Sequence, residues 1–99
     1  MLADWVERHT SEAPEALRTR VQQHIMRADA GQTVPDALAR AAQEALGEVL
    51  THPGDRSVAL DLLAADALIT LALLAQAQRA PKGLGEFAAS ILQSPRPDA

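Results

Sequence analysis

The sequence predicts an all-α fold, a small orthogonal or up-down bundle of four to five helices around a long central apolar helix at about residues 55–80. Three observations favour this fold class. Apolar residues make up 47% of the chain, and they are chiefly alanine and leucine, which are strong helix formers. They recur at helical spacing, whereas no stretch alternates with a period of two for long. Prolines and glycines separate the helical segments.

The first two helices are predicted over residues 2–9 and 14–30. Between them, Ser11 is a candidate N-cap and Pro14 suits the first turn of the second helix. The apolar face of the second helix follows the spacing i, i+4, i+7, i+8 and consists of Leu17, Val21, His24, Ile25 and Ala28.

The third helix is predicted to begin after Thr33, a favourable N-cap, and to end near Thr51, because Pro53 restricts the residue before it. A short fifth helix is predicted at about residues 85–93. Residues 1–93 should form one helical domain, since the chain is too short for two. The tail, 94–99, contains two prolines and is expected to be disordered.

The central helix has clear signals at both ends. Gly54 stops the preceding helix, and Asp55 is well placed to cap the next one. Pro81 and Gly83 end it. Although residues 58–77 are long enough to cross a membrane, two aspartates lie among them, and each costs roughly 2.5–3.5 kcal/mol near a bilayer centre. We therefore predict no membrane span.

The two sides of the central helix differ only slightly in polarity. A faint polar strip, predicted to face water at its two ends, consists of Ser57, Asp61, Ala64, Ala75, Gln78 and Arg79. The middle of the helix is predicted to be apolar all round, so the rest of the chain or a second copy should cover it. The predicted self-association interface consists of Leu68, Leu71, Ala72, Leu74 and Ala75.

Asp66 is predicted to lie almost opposite the polar strip and therefore to be buried. A buried carboxylate is costly unless it is paired or hydrogen-bonded, and Thr70, Arg27, Arg40 or a histidine could supply the partner. The structural role is favoured over a ligand or proton site, because structural ion pairs are common. The candidate buried polar or ligand site comprises Asp66, Thr70, His24 and Arg27.

One local resemblance concerns the segment LAADALIT, residues 63–70. It resembles a helix of isoprenyl diphosphate synthases, which are also all-α proteins. The aspartate-rich DDxxD motifs of that family are missing from this chain, and no activity is carried over.

The patterns of known catalytic sites are missing from the sequence. His9, His24 and His52 are far apart, HExxH is absent, and there is no cysteine, so no metal site is predicted. Neither GxSxG nor a glycine-rich phosphate loop occurs. We therefore predict a protein that is not an enzyme and has no cofactor.

The charge distribution limits the partners. The net charge is −4 and the nine basic residues are spread along the chain, which argues against binding to nucleic acid or to an anionic membrane surface. The N-terminus lacks the features of a signal peptide, so a cytoplasmic, bacterial-type protein is expected.

The predicted function is that of an interaction or assembly protein. It would associate with itself, most simply as a homodimer, or with another helical protein. The alternative is a small helical bundle that binds an apolar or isoprenoid-like small molecule near Asp66.

Overall fold

The computed structural model describes residues 2–27, 31–51, 54 and 56–93, and the predicted all-α fold is confirmed. A short 3₁₀ turn, Pro81–Gly83, precedes the last helix. Within the described residues the α-helices are α1 (Leu2–His9), α2 (Glu15–Ile25), α3 (Val34–Thr51), α4 (Arg56–Arg79) and α5 (Leu84–Leu92). The predicted tail, 94–99, and the predicted cap Asp55 lie outside the described residues.

The second helix differs from its prediction at both ends. Its N-cap is Pro14, and no side chain caps it, so the prediction that Ser11 caps this helix is wrong. Ser11 instead lies in the turn that leads to Pro14. The helix ends at Ile25 rather than at residue 30, and residues 28–30 lie outside the described part of the chain.

Two local signals around α3 are confirmed. The Oγ1 atom of Thr33 accepts a hydrogen bond from the backbone N–H of Asp36 at 3.3 Å, so Thr33 is the N-cap of α3. At the other end, Gly54 has a φ of 101°. This left-handed conformation favours glycine, because it has no Cβ atom to clash with the backbone. It separates α3 from α4.

The core lies mainly between α3 and α4, which form the most extensive helix pair. Alanines dominate this contact: Ala41, Ala42 and Ala45 of α3 are at most 2% exposed. Small side chains let the two helix backbones approach closely, so that few large residues are needed to fill the space between them. The other helices add their apolar residues at the edges of this pair, among them Val6, Val21, Ile25 and Ile91.

The α4 helix divides lengthwise into a buried side and an exposed side. At about 100° per residue, its buried residues all lie within about 60° of one direction. They are Asp61, Ala64, Ala65, Leu68, Leu71, Ala72 and Ala75. The faint polar strip is exposed at its ends, as predicted, at Ser57, Gln78 and Arg79. Between them it faces the core, with Asp61, Ala64 and Ala75 all buried.

The single chain does not cover every side of the middle of this helix, and its coverage by a second copy stays a prediction. Asp66 and Thr70, halfway along α4, are exposed. The sequence pattern grouped the residues of this side correctly but assigned them to the wrong environment. The physical reason is that the two sides are almost equally apolar, so the position of the partner helices decides which of them is buried.

Candidate functional site

The most polar part of the interior is a buried cluster formed by Arg20 and His24 of α2 and Asp61 of α4. The Nε2 atom of His24 lies 3.1 Å from Oδ1 of Asp61, and Nη1 of Arg20 lies 3.3 Å from the same oxygen. The His24 side chain is 4% exposed and that of Asp61 is 9% exposed. A carboxylate this deeply buried requires such partners, so the cluster explains how α4 accommodates Asp61 in the core.

The hydrogen-bonding state of His24 follows from its two ring nitrogens. Its Nε2 faces the carboxylate of Asp61, which only accepts hydrogen bonds when ionised, so Nε2 carries the proton and donates. The Nδ1 atom is buried and has no hydrogen-bond partner among the described residues. A proton on Nδ1 would therefore be a buried donor without an acceptor, which is costly.

A second ion pair adjoins the buried cluster. Nη1 of Arg27 lies 3.4 Å from Oε1 of Glu48, and both side chains are partly exposed. One potential ligand atom from each of His24, Glu48 and Asp61 lies within 4.8 Å of the others, a separation at which the three could hold a metal ion. No sequence motif indicates this grouping, because the three residues come from three different helices.

The charges around this grouping do not favour a divalent cation. Arg20 already pairs with Asp61, and Arg27 already pairs with Glu48. Each carboxylate thus has its own guanidinium, and the imidazole of His24 adds no negative charge. A divalent ion would add two positive charges to a group whose charges are already balanced. The arrangement suits a structural link between α2, α3 and α4.

The predicted polar site is divided between two places. His24 belongs to the buried cluster, and Arg27 lies beside it. Asp66 and Thr70 lie elsewhere, on the exposed side of α4, where Thr70 Oγ1 donates a hydrogen bond to the carbonyl oxygen of Asp66 at 3.0 Å. The prediction that Asp66 is buried is therefore wrong, and the buried aspartate is Asp61.

A signal for Asp61 was present in the sequence. The faint polar strip that contains Asp61 also contains Ala64 and Ala75, and alanines at helical spacing are typical of a closely packed helix contact. An aspartate in such a strip needs a basic partner, and Arg20 and His24 of α2 share one side of their own helix because they are four residues apart.

The opposite side of α4 forms an exposed face with a regular pattern. Six of its eight positions are exposed, and Leu73 and Ala77 are half-buried. The leucines at positions 62, 63 and 74 are 50%, 56% and 39% exposed. The exposed face consists of Ala59, Leu62, Leu63, Asp66, Thr70, Leu73, Leu74 and Ala77.

The order of residues on the exposed face is symmetric. From either end it reads alanine, two leucines, one polar residue, then a polar residue, two leucines and alanine. The intervals between these positions are the same in both directions. The only difference is that one polar residue is Asp66 and the other is Thr70. A face of this kind is apolar towards both ends and polar in the middle.

The predicted interface coincides with the exposed face at one position. Leu74 is accessible, whereas Leu68, Leu71, Ala72 and Ala75 are at most 7% exposed and pack inside the chain. Those four residues cannot contact a second copy unless the fold opens, so this part of the predicted interface is wrong. All four belong to the hydrophobic core of the chain.

By length and composition, α4 could cross a membrane, and 39% of its most apolar window is buried in the protein. This is weak evidence, because the core helix of a soluble protein has the same length and composition. Asp61 in that window pairs with groups of α2. The absence of a membrane span stays a prediction.

Pockets offer little support for an enclosed ligand site near Asp66. Four depressions lined by described residues have volumes of about 230 to 370 Å³ and are open to solvent. Neither Asp66 nor Thr70 lines any of these four.

Comparisons with known proteins identified no relative. No protein-family model, no curated protein and no solved structure matches this chain. The function is therefore inferred from the residues of this chain and their positions in the fold.

Proposed function

We propose that this chain is a non-enzymatic interaction protein that self-associates through the exposed face of α4. The observation that carries the proposal is the set of three accessible leucines on this face, at positions 62, 63 and 74. A helix on the surface of a protein usually presents polar and charged residues to water. The exposed face has one charged residue, Asp66, among its eight positions.

The symmetric order of the exposed face favours a second copy as the partner. A two-fold interface brings the same surface together from both subunits, so that surface must be complementary to itself. The leucine pairs at the two ends of the exposed face meet this requirement, because each end can pack against the other end of an identical helix.

The exposed leucines contribute part of the free energy that a dimer requires. Fully burying an exposed leucine contributes about 1.5–3 kcal/mol, so each of these roughly half-exposed leucines contributes about 1 kcal/mol. Six such leucines in a dimer contribute about 6 kcal/mol before the cost of association is subtracted. A dissociation constant of about 100 µM requires about 5.5 kcal/mol net, so the contacts of Leu73, the alanines and the polar residues must offset the cost of association.

The test is the mass of the protein in solution at several concentrations, measured by sedimentation equilibrium. At about 100 µM at least half of the wild-type chains should be in dimers, because the proposal requires a dissociation constant of about 100 µM or lower. Leu62→Glu should shift it to the monomer, because it places a charge in the interface. The matched control is Leu50→Glu, since Leu50 is 51% exposed, close to the 50% of Leu62, but lies on α3. This control should leave the mass unchanged.

Two results would contradict the proposal. One is a wild-type chain that stays monomeric at about 100 µM, whether or not it then binds lipid vesicles. The other is an equal effect of the two substitutions, which would mean that the exposed face has no special role. The alternative function, a ligand site near Asp66, has less support, because Asp66 and Thr70 lie at the surface rather than between α2, α3 and α4.

A further inference from the structure

We infer that two copies of α4 pair in antiparallel orientation, with a two-fold axis level with position 68, halfway between Asp66 and Thr70. This inference rests on the proposed self-association and specifies its geometry. It follows from the spacing of the exposed face. About an axis at this level, each residue lies level with the residue equally far on the other side of position 68 in the second copy.

All positions of the exposed face find suitable partners in this register. Leu62 meets Leu73 of the second copy, and Leu63 meets Leu74, because these residues lie on the same flank of the contact and at nearly the same level. Ala59 meets Ala77 at both ends of the contact, where small side chains let the helices approach to the usual 8–10 Å or so between axes. The apolar residues of the face therefore meet apolar residues only.

The polar pair in the middle specifies the register. Each Asp66 carboxylate meets the Thr70 hydroxyl of the second copy, which can donate a hydrogen bond to it. That hydroxyl now donates to the carbonyl oxygen of Asp66 in its own helix. If the hydroxyl turns across the interface, the carbonyl oxygen of Asp66 keeps its helical hydrogen bond from the backbone N–H of Thr70, four residues later. A buried polar pair of this kind selects one register over others.

Other arrangements are worse for Asp66. A parallel pair would place the two Asp66 carboxylates against each other, and like charges that lose water repel strongly. Moving the antiparallel axis two residues towards the N-terminus does the same. Moving it two residues towards the C-terminus places Asp66 against Leu74, where the carboxylate has no hydrogen-bond donor. Antiparallel helices also place opposite ends of their dipoles together.

The first test compares two double variants. Leu63→Glu combined with Leu74→Lys places opposite charges together in the inferred register, whereas Leu63→Glu combined with Leu74→Glu places like charges together. Both remove the same two leucines, so they lose the same kind of apolar contact. Sedimentation equilibrium should show at least tenfold weaker dimerisation for the like-charged variant.

The second test uses disulfide crosslinking, which is simple because the chain has no cysteine. Ala59→Cys and Ala77→Cys are prepared separately and then mixed under oxidising conditions. The mixture should form a crosslinked dimer, because these positions meet across the interface. Each variant alone should not, since its two cysteines would be roughly 27 Å apart along the helix axis at 1.5 Å per residue.

The outcomes separate the two proposals. If the wild-type chain is monomeric, the proposed self-association is wrong and the register is wrong with it. If the chain dimerises but Ala59→Cys crosslinks with itself, the pair is parallel and only the register is overturned. The register alone is also overturned if a dimeric protein gives no crosslink in any sample, or if the two double variants dimerise with equal affinity.

Discussion

Removing the carboxylate of Asp61 should destabilise the protein far more than removing that of Asp66, although both are aspartates of the same helix. Asp61→Ala takes away the acceptor of His24, whose side chain is 4% exposed. A buried donor left without an acceptor costs about 1–3 kcal/mol. Arg20 also loses its partner, but its side chain is 28% exposed and water can replace part of the interaction, so this loss adds at most about 1 kcal/mol. The sum is about 1–4 kcal/mol.

Asp66→Ala is the matched control. Its side chain is exposed, and surface substitutions usually change stability by no more than about 0.5 kcal/mol. Alanine is a better helix former than aspartate, but this gain is the same at both positions and cancels in the comparison. The difference between the two variants therefore reports the buried cluster.

The assay is urea denaturation followed by far-UV circular dichroism, with all variants at a concentration where sedimentation shows the same species. Asp61→Ala should lower the free energy of unfolding by about 1–4 kcal/mol, which corresponds to a decrease in Tm of at least about 4 °C for a chain of this size. Asp61→Asn should lose less, since its amide oxygen can still accept from His24. Equal losses for Asp61→Ala and Asp66→Ala, or a loss below about 1 kcal/mol for Asp61→Ala, would refute the role assigned to the buried cluster.

Two further predictions concern the turn before α4 and the charge balance of the interior. Gly54→Ala should lower stability by about 1–2 kcal/mol, because φ is positive there, whereas Gly47→Ala within α3 should raise it by about 0.5–1 kcal/mol. A Cβ atom meets nothing within 4 Å at either site, so denaturation curves that shift in the same direction would contradict the backbone argument. Excess Zn²⁺ should change Tm by less than about 1 °C, since a bound ion would stabilise the fold by mass action. A rise of several degrees that Asp61→Ala abolishes would show that the guanidinium groups do not prevent metal binding.

The ends of the helices could be predicted because their signals are local. Thr33 can cap α3 whatever the rest of the chain does, since the bond that it accepts comes from Asp36, three residues away. The turn at Gly54 is similar, because a positive φ depends on the backbone of one residue. Where the local signal was weaker, as at Ser11, the prediction was wrong: the second helix begins after Pro14.

The environment of the two aspartates could not be predicted in the same way. Both occupy apolar stretches of α4, and helical periodicity places them on opposite sides without indicating which side faces the core. The grouping of His24, Glu48 and Asp61 could not be predicted from the sequence either. These residues approach each other only when α2, α3 and α4 are packed.

The sequence by itself determined that the chain is helical, where most of its helices begin and end, and which residues share a side of α4. These properties depend on residues within about one turn of each other, so local chemistry is sufficient. Only the tertiary structure decided that Asp61 is buried and that Leu62, Leu63 and Asp66 face outward. The reason is that the two sides of α4 are similarly apolar, and the choice between them depends on Arg20 and His24, which lie on a helix distant in sequence.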